Sequence, residues 1–146
     1  MNNQIRILIV DDDDTIRTTM KAILEDEGYA VDLASSGKEG VQKSKEAAYN
    51  IALLDIRLPD MEGVKLLKLM KPAVPRTRKI MVTGYPSTQN AIEALNKNAD
   101  AYLIKPVDIE KLLNTIKEQL KQQDEERNFS ELKVAEFIES RVKEIT

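Results

Sequence analysis

The sequence contains no cysteine and no histidine among its 146 residues. The first absence excludes disulfide bonds and thiol chemistry, and the second excludes metal centres and acid–base sites built on an imidazole. Basic residues are not in excess, since the net charge is −3, whereas proteins that bind a phosphate backbone are usually basic. No apolar run approaches membrane-spanning length, and the N-terminus lacks the apolar segment of a signal peptide. We therefore expect a cytoplasmic protein with no direct contact to nucleic acid or membrane.

The remaining composition is that of a globular protein with a sizeable core. Of its residues, 42% are hydrophobic and 32% are charged. A chain of 146 residues is long enough for one domain with an appendage. The hydrophobic periodicity described below predicts a domain in residues 1–121 and a C-terminal extension in residues 122–146.

Short apolar runs rich in β-branched residues recur along the chain, as expected for strands buried on both faces. These runs are Ile5–Val10, Tyr29–Ala34, Ile51–Leu54, Ile80–Val82 and Ala101–Ile104. Helical periodicity separates them, and the five predicted helices are centred on Ile16–Leu24, Lys38–Ala48, Val64–Met70, Ser87–Leu95 and Ile109–Leu120. This alternation predicts a flavodoxin-like, doubly wound α/β domain, whose five-stranded parallel sheet has the order 2-1-3-4-5.

Aspartate, threonine or lysine residues directly follow four of the five predicted strands, whereas the second is followed by Ser35. Asp11 and Asp12 follow the first strand, Asp55 the third, Thr83 the fourth and Lys105 the fifth. In the predicted order these four strands are neighbours, and ligands bind at the carboxyl ends of strands in this class of sheet. The sequence therefore predicts that these residues share one crevice.

The first of these signals belongs to a run of four aspartates, Asp11 to Asp14. Asp13 and Asp14 are interpreted as charges at the start of the first helix, where carboxylates complement the helix dipole. Asp11 and Asp12 lie at the strand tip opposite Asp55, and packing like charges there would raise their pKa values unless a cation compensated. An all-oxygen site of this kind suits Mg²⁺, whereas the spacing and the missing glycine do not fit a calcium loop.

Asp55 directly follows an apolar strand and shares the crevice with the acidic pair. A carboxylate can attack phosphorus to form an aspartyl phosphate, with Mg²⁺ stabilising the charge of the transferred group. That group has three equatorial oxygens, which the cation, the Thr83 hydroxyl and the Lys105 ammonium would contact. Asp60, in contrast, follows a proline and is interpreted as a turn residue before the third helix.

Four segments carry a family resemblance, namely ILIVDDDDTIR, LLDIRLPDMEG, MVTGY and YLIKP. In this order, over about Ile5 to Leu120, they resemble the receiver domains of response regulators in two-component signal transduction. The resemblance implies a phosphorelay phosphoprotein that accepts a phosphoryl group on Asp55 and then changes conformation. It also implies a switch that phosphorylates and dephosphorylates itself, not a multi-turnover enzyme.

The resemblance also implies roles for the strand-end residues. The groups it assigns to Mg²⁺ are the Asp12 and Asp55 carboxylates, the main-chain carbonyl of Arg57 and, mainly through water, Asp11. Thr83 and Lys105 would contact the phosphate. Tyr102 lies three residues before Lys105, hence on the opposite face of the strand, and would be the aromatic switch.

The implied partner is a sensor histidine kinase or a phosphotransfer protein that docks on the first helix near Ile16 and Thr19. The implied output face consists of the fourth helix, the fifth strand and the fifth helix. A homodimer would form through that face, through the C-terminal extension, or through both.

Two other classes of protein share part of this pattern. The first strand and Asp11, Asp13 and Thr15 fit the hhhhDxDxT nucleophile motif of haloacid-dehalogenase-like phosphatases. That family requires a further acidic motif after the lysine, and no glycine follows Gly84; nor does it predict an acceptor such as Asp55. The other alternative is an interaction module that never binds phosphate, which Mg²⁺ binding would distinguish from a receiver.

The pattern changes after Leu120. Residues 121–128 (KQQDEERN) include no hydrophobic residue. Apolar residues then recur at spacings of three and four, at Phe129, Leu132, Ala135, Ile138, Val142 and Ile145. This pattern predicts a separate helix from Phe129 to Ile145, capped by Asn128 with Glu131 reaching back.

Such a short helix is marginal in water without partner contacts, and an exposed apolar stripe is typical of an association site. We therefore expect this helix to bind a second copy or a target. The alternative is a frayed polar extension or the stub of a removed domain. DNA binding is not expected, because the segment is acidic and too short for a helix-turn-helix.

Overall fold

The computed structural model describes residues 4–84 and 99–145, and it has the topology that the sequence predicts. Five parallel strands form one sheet in the order β2-β1-β3-β4-β5. Their bounds are β1 Arg6–Val10, β2 Ala30–Ala34, β3 Ile51–Asp55, β4 Arg78–Thr83 and β5 Ala101–Ile104. The predicted flavodoxin-like fold class is confirmed, with strand ends shifted by one or two residues.

The helices of the described part are α1 Asp14–Asp26, α2 Gly37–Glu46, α3 Gly63–Leu69 and a C-terminal helix, Ile109–Ile145. Side chains cap the first two, because Asp13 accepts a hydrogen bond from the Ile16 amide and Ser36 accepts one from the Glu39 amide. After α1 the chain turns at Gly28, whose φ of 94° lies in the left-handed region. The predicted helix at Ser87–Leu95 lies outside the described residues.

The core has two layers, one on each face of the sheet. Along β1, Leu8 and Val10 point to the layer beneath α2 and α3, and Ile7 and Ile9 point to the layer beneath α1 and the C-terminal helix. This alternation follows from the two-residue period of a strand. All four side chains are fully buried, which explains why the strand reads as a continuous apolar run.

The C-terminal helix differs from the prediction because it has no break at Asn128. It runs without interruption from Ile109 to Ile145, so the separate helix capped by Asn128 is wrong, although residues 129–145 are helical. Residues 121–128 are mostly lysine, glutamine, glutamate and arginine, which are good helix formers even without an apolar face. No helix in the described ranges is both long and apolar enough to cross a membrane.

Polar contacts attach this helix to the amino ends of β3, β4 and β5. The Arg78 guanidinium is 9% exposed and donates to Gln119 Oε1 (2.9 Å), Gln122 Oε1 (2.8 Å) and Glu126 Oε2 (3.0 Å). Gln123 donates to the carbonyls of Asn50 (3.0 Å) and Arg76 (2.8 Å). We call this group the basal clamp; its members are Asn50, Arg76, Arg78, Asp100, Gln119, Gln122, Gln123 and Glu126. The clamp lies at the end of the sheet opposite to the predicted crevice.

Candidate functional site

The carboxyl ends of four adjacent strands meet at one edge of the sheet, as predicted. Asp11 directly follows β1, Asp55 and Thr83 are the last residues of β3 and β4, and Lys105 directly follows β5. Asp55 is paired in register with Val82, so it lies beside Thr83 at the strand ends. Asp11, Asp55 and Thr83 are 2%, 6% and 0% exposed, which places three polar residues at the edge of an apolar core.

Lys105 connects two of these carboxylates. Its Nζ lies 2.7 Å from Asp11 Oδ2 and 3.2 Å from Asp55 Oδ2. The other oxygen of each carboxylate accepts a main-chain hydrogen bond, from the Asp13 amide to Asp11 Oδ1 (2.9 Å) and from the Arg57 amide to Asp55 Oδ1 (3.1 Å). The Lys105 amide also donates to the Thr83 carbonyl at 2.7 Å, which holds the lysine at the end of β4.

Burial and the neighbouring charges act in opposite directions on the pKa values of Asp55 and Lys105. Burial raises the pKa of Asp55, and the charge of Asp11 adds to that shift, although the Arg57 amide and Lys105 oppose it. Burial acts to lower the pKa of Lys105, but the hydrogen bond to Asp11 and the charges of both carboxylates outweigh it and raise the pKa overall. The lysine is therefore held in its charged form by the acidic cluster.

The four consecutive aspartates have different environments. Asp12 is exposed at the mouth of the crevice, and its carboxylate can bring an oxygen within 4.8 Å of oxygens from Asp11 and Asp55. Asp13 caps α1, and Asp14 lies in the first turn, where it pairs with Arg17 at 2.9 Å. The interpretation of Asp13 and Asp14 as helix N-terminal charges is therefore confirmed.

The chemistry of this cluster fits a hard divalent cation. Asp11, Asp12 and Asp55 offer only oxygen ligands, and such ligands are the ones that Mg²⁺ prefers. Both oxygens of Asp11 and both oxygens of Asp55 already have partners within the protein, whereas Asp12 is exposed at the mouth of the crevice. Arg57 lies two residues after Asp55, beside the same strand end.

Tyr102 lies on the other face of β5 from its neighbour Leu103. Its side chain is partly buried and packs on the core layer beneath α2 and α3, whereas Leu103 belongs to the layer beneath α1. The Tyr102 hydroxyl is buried and has no hydrogen-bond partner among residues 4–84 and 99–145. A buried hydroxyl without a partner is costly, so this ring would gain free energy from a conformation that gives the hydroxyl a partner.

A shallow apolar groove opens beside the site, between α1 and the segment after β5. It has a volume of about 320 Å³. Its lining includes Ile16 and Thr19, the two residues predicted for docking, together with Pro106, Val107 and Ile109. Lys105 also lines it, so a partner bound in this groove would be next to the acidic cluster.

Three positioning residues were not recognised from the sequence. The Arg17 guanidinium donates to the Asp11 carbonyl at 2.7 Å, and its three-residue spacing from Asp14 was a usable signal. Asp60 accepts from the amides of Gly37 and Lys38, both at 2.8 Å, so it caps α2 as well as occupying a bend. A Cβ on Gly63 would lie 2.1 Å from the Asp55 carbonyl oxygen, so only glycine lets α3 begin that close to the acceptor strand.

Comparison with known proteins places this arrangement in one family. Residues 7–117 match the family described as the response regulator receiver domain. The transcriptional regulatory protein ZraR of Klebsiella oxytoca is 40% identical over 117 residues, which are 80% of this chain and 26% of that protein. The transcriptional regulatory protein DltR of Streptococcus agalactiae (strain NEM316) is 36% identical over 77% of this chain and 50% of its own length. The chain thus spans from about a quarter to half of these relatives.

Solved structures give the same result. A CheY-like response regulator receiver domain protein from Methanospirillum hungatei JF-1 is 50% identical, with a TM-score of 0.80, over 85% of this chain and 99% of that one. The beryllofluoride-activated NtrC4 receiver domain dimer is 36% identical, with a TM-score of 0.75, over 81% of this chain and 98% of that one. From its fold, its strand-end residues and these matches, the chain belongs to the response regulator receiver domain family of two-component systems.

Proposed function

We propose that this protein is a phosphorelay switch in which Asp55 accepts a phosphoryl group from a sensor histidine kinase or a phosphotransfer protein, in a Mg²⁺-dependent reaction. The observation that carries this proposal is the buried acidic cluster with Lys105 bridging Asp11 and Asp55. A plain strand-end turn would not need a half-buried lysine held between two buried carboxylates, because burying charges is costly unless they are paired.

In the proposed reaction an Asp55 carboxylate oxygen attacks phosphorus. The P–N bond to the donor histidine breaks, the histidine nitrogen keeps the electron pair, and a mixed anhydride forms on Asp55. The Lys105 ammonium keeps its contact with the Asp55 oxygen and balances the added negative charge. The Thr83 hydroxyl contacts a second phosphoryl oxygen. Tyr102 then transmits the movement of Thr83 to the output face.

The cation would be held by Asp12, Asp55 and the Arg57 carbonyl, with Asp11 acting through water. When bound, it would supply charge stabilisation to the transferred group.

The proposed partner surface is the groove between α1 and the segment after β5. Its apolar lining, with Ile16 and Thr19 at one side and Ile109 exposed at the other, suits a helical partner that presents a phosphohistidine. The output surface would include β5 and the C-terminal helix, with a homodimer through that face or through the extension. A cytoplasmic location without direct binding of nucleic acid belongs to the same proposal, as does the functional division into residues 1–121 and 122–146.

The protein would act as a switch and not as a multi-turnover phosphatase. Asp13 is the second acid of the hhhhDxDxT motif. It accepts a hydrogen bond from the Ile16 amide at 3.0 Å and so caps the N-terminus of α1. We expect no sustained turnover of a generic phosphomonoester in Mg²⁺, and one hydrolysis event for each phosphorylation.

Labelling with acetyl phosphate and Mg²⁺, followed by intact-mass measurement, tests this proposal. We expect one phosphoryl group on the wild-type protein, no stable label on Asp55→Asn, and little on Asp12→Ala because metal binding is lost. Asp14→Ala is the matched control, because Asp14 lies in the same aspartate run but outside the cluster. Labelling of Asp55→Asn at the wild-type rate would disprove the assignment.

A further inference from the structure

The last part of the C-terminal helix is an apolar surface without a cover in the described structure. Beyond the basal clamp the helix projects from the domain, and its large apolar side chains are more than half exposed. Val134, Phe137, Ile138 and Val142 lie toward one side of the helix, and Phe129 and Leu132 lie toward the opposite side. Because the clamp fixes the helix where it leaves the domain, this surface is presented on a rigid arm.

One face of this arm combines an apolar centre with charged residues at both ends. Arg127, Glu131, Val134, Ile138 and Arg141 follow one another at intervals of four, three, four and three residues, so their side chains lie on one side of the helix. The face has an apolar centre, Val134 and Ile138, between a glutamate on one side and an arginine on the other. Phe137 flanks this centre, with the Arg141 guanidinium 5.0 Å from its ring.

The same face continues into a groove at the foot of the arm. The groove has a volume of about 460 Å³ and lies between the segment before β4 and the helix, with Glu131 and Val134 in its lining. On the domain side it is lined by Val74 and Pro75, and Val74 is 96% exposed. An apolar side chain this exposed next to an apolar groove is typical of a surface that is covered in an assembly.

We infer that the occupant is the same helix of a second copy of this chain, packed antiparallel on this face. If Val134 lies opposite Ile138 of the second copy, then Glu131 lies opposite Arg141, and symmetry repeats each contact. Two Glu131–Arg141 ion pairs therefore flank the apolar centre. A parallel dimer in register would instead bring Glu131 near Glu131 and Arg141 near Arg141, and like charges across an interface are unfavourable.

The area agrees with a reversible dimer. Val134, Phe137, Ile138, Val142 and Val74 would each bury on the order of 100 Å² of apolar surface, given their exposure. The sum, with both copies counted, is roughly 1,000 Å², which is the lower limit of specific interfaces. In the antiparallel register Val142 of the second copy lies opposite Ser130, at the groove beside Val74. By symmetry, apolar side chains are covered in this way at both ends of the interface.

This inference deepens the homodimer part of the proposed function and does not require phosphorylation of Asp55. The dimer should form equally in Asp55→Asn, so loss of labelling and loss of dimerisation are separate outcomes. The interface lies beyond Ile109–Leu120, the part of the C-terminal helix that belongs to the predicted output face, so variants at positions 131 and 141 leave that face unchanged.

Charge reversal tests the pairing on the full chain by sedimentation equilibrium. We expect Glu131→Arg and Arg141→Glu each to weaken dimerisation by at least about tenfold, because each variant brings like charges together twice. The double variant should recover affinity to within about threefold of wild type. Glu136→Arg and Lys143→Glu are matched controls on the outer face of the same helix, and they should have no effect.

Single cysteines test the orientation, and the natural absence of cysteine makes this test clean. A mixture of Glu131→Cys and Arg141→Cys proteins should form a disulfide between the two variants under mild oxidation. Glu131→Cys alone should not, because in the antiparallel register the two copies of position 131 are about 15 Å apart along the axis. A monomeric wild type, a double variant that fails to recover, or a disulfide in Glu131→Cys alone would each overturn the inference.

Discussion

Replacing Lys105 by methionine should destabilise the protein in a way that Mg²⁺ reverses. Lys105 Nζ lies 2.7 Å from Asp11 Oδ2 and 3.2 Å from Asp55 Oδ2, and its side chain is only 17% exposed. Methionine keeps most of the apolar stem but removes the charge. Two buried carboxylates then face each other and the exposed Asp12 without a counter-charge.

Removing one partner of a buried ion pair costs about 3–5 kcal/mol, because an uncompensated charge remains. Here the side chain retains some solvent contact, so we expect the free energy of unfolding to fall by about 3 kcal/mol without metal. A ligand at one hundred times its Kd stabilises the folded state by about 2.7 kcal/mol. Both proteins gain from Mg²⁺, but Lys105→Met gains more, because the lysine no longer competes for the same oxygens.

Urea unfolding in EDTA and in excess Mg²⁺ measures this effect. The difference between wild type and Lys105→Met should shrink by about 2 kcal/mol when Mg²⁺ is added. Lys79→Met is the matched control, because Lys79 is a half-buried lysine outside the acidic cluster, with its Nζ on the Leu67 carbonyl at 3.1 Å. Its loss of stability should not depend on Mg²⁺. If Lys105→Met lost the same free energy of unfolding with and without metal, this would refute the view that Lys105 serves as the counter-ion of a cation site.

Two further predictions concern the switch and the pH dependence. Thr83→Ala should still accept phosphate but switch incompletely, because one charge-assisted bond of about 1.5–3 kcal/mol is lost from the roughly 5.5 kcal/mol that a complete shift requires. NMR shifts around Tyr102 with beryllofluoride measure this, and a full shift in the variant would contradict it. Burial opposes ionisation of Asp32, but hydrogen bonds from Tyr49 and Arg6 outweigh it and lower the pKa of Asp32. A carboxyl with a lowered folded pKa stabilises the protein above its unfolded pKa, and this contribution is lost as the pH falls through the folded value. Asp32→Asn should therefore lower the melting temperature at neutral pH and progressively less below about pH 4, and a constant difference across that range would count against the argument.

The sheet and the candidate site could be predicted because their signals are local. Each buried strand reads as a short apolar run, and the residue after it must lie at the carboxyl edge of a parallel sheet. Asp11, Asp55, Thr83 and Lys105 are therefore brought together by strand order alone. Their roles in phosphoryl transfer remain predictions that follow from chemistry and from family membership.

The contacts that could not be predicted join residues far apart in the chain. Asp60 caps α2 from the next βα connection, and nothing near Asp60 in sequence indicates those partners. The predicted break at Asn128 failed for the same reason, because the polar stretch before it looked like a linker when considered alone. In the fold, Gln122, Gln123 and Glu126 meet Arg76, Arg78 and Asn50, so this stretch is part of a helix attached to the domain and not a linker.

Local patterns were sufficient to predict the class of sheet, the order of its strands and the polar side chains at its carboxyl edge. These features depend on apolar periodicity and on the chemistry of single residues, and both can be recognised within a short segment of sequence. The folded structure was needed to show which carboxylates Lys105 contacts and how the helix that begins at Ile109 is attached to the amino ends of β3, β4 and β5. Those outcomes depend on buried polar partners from distant segments, and such partners become neighbours only once the chain has folded.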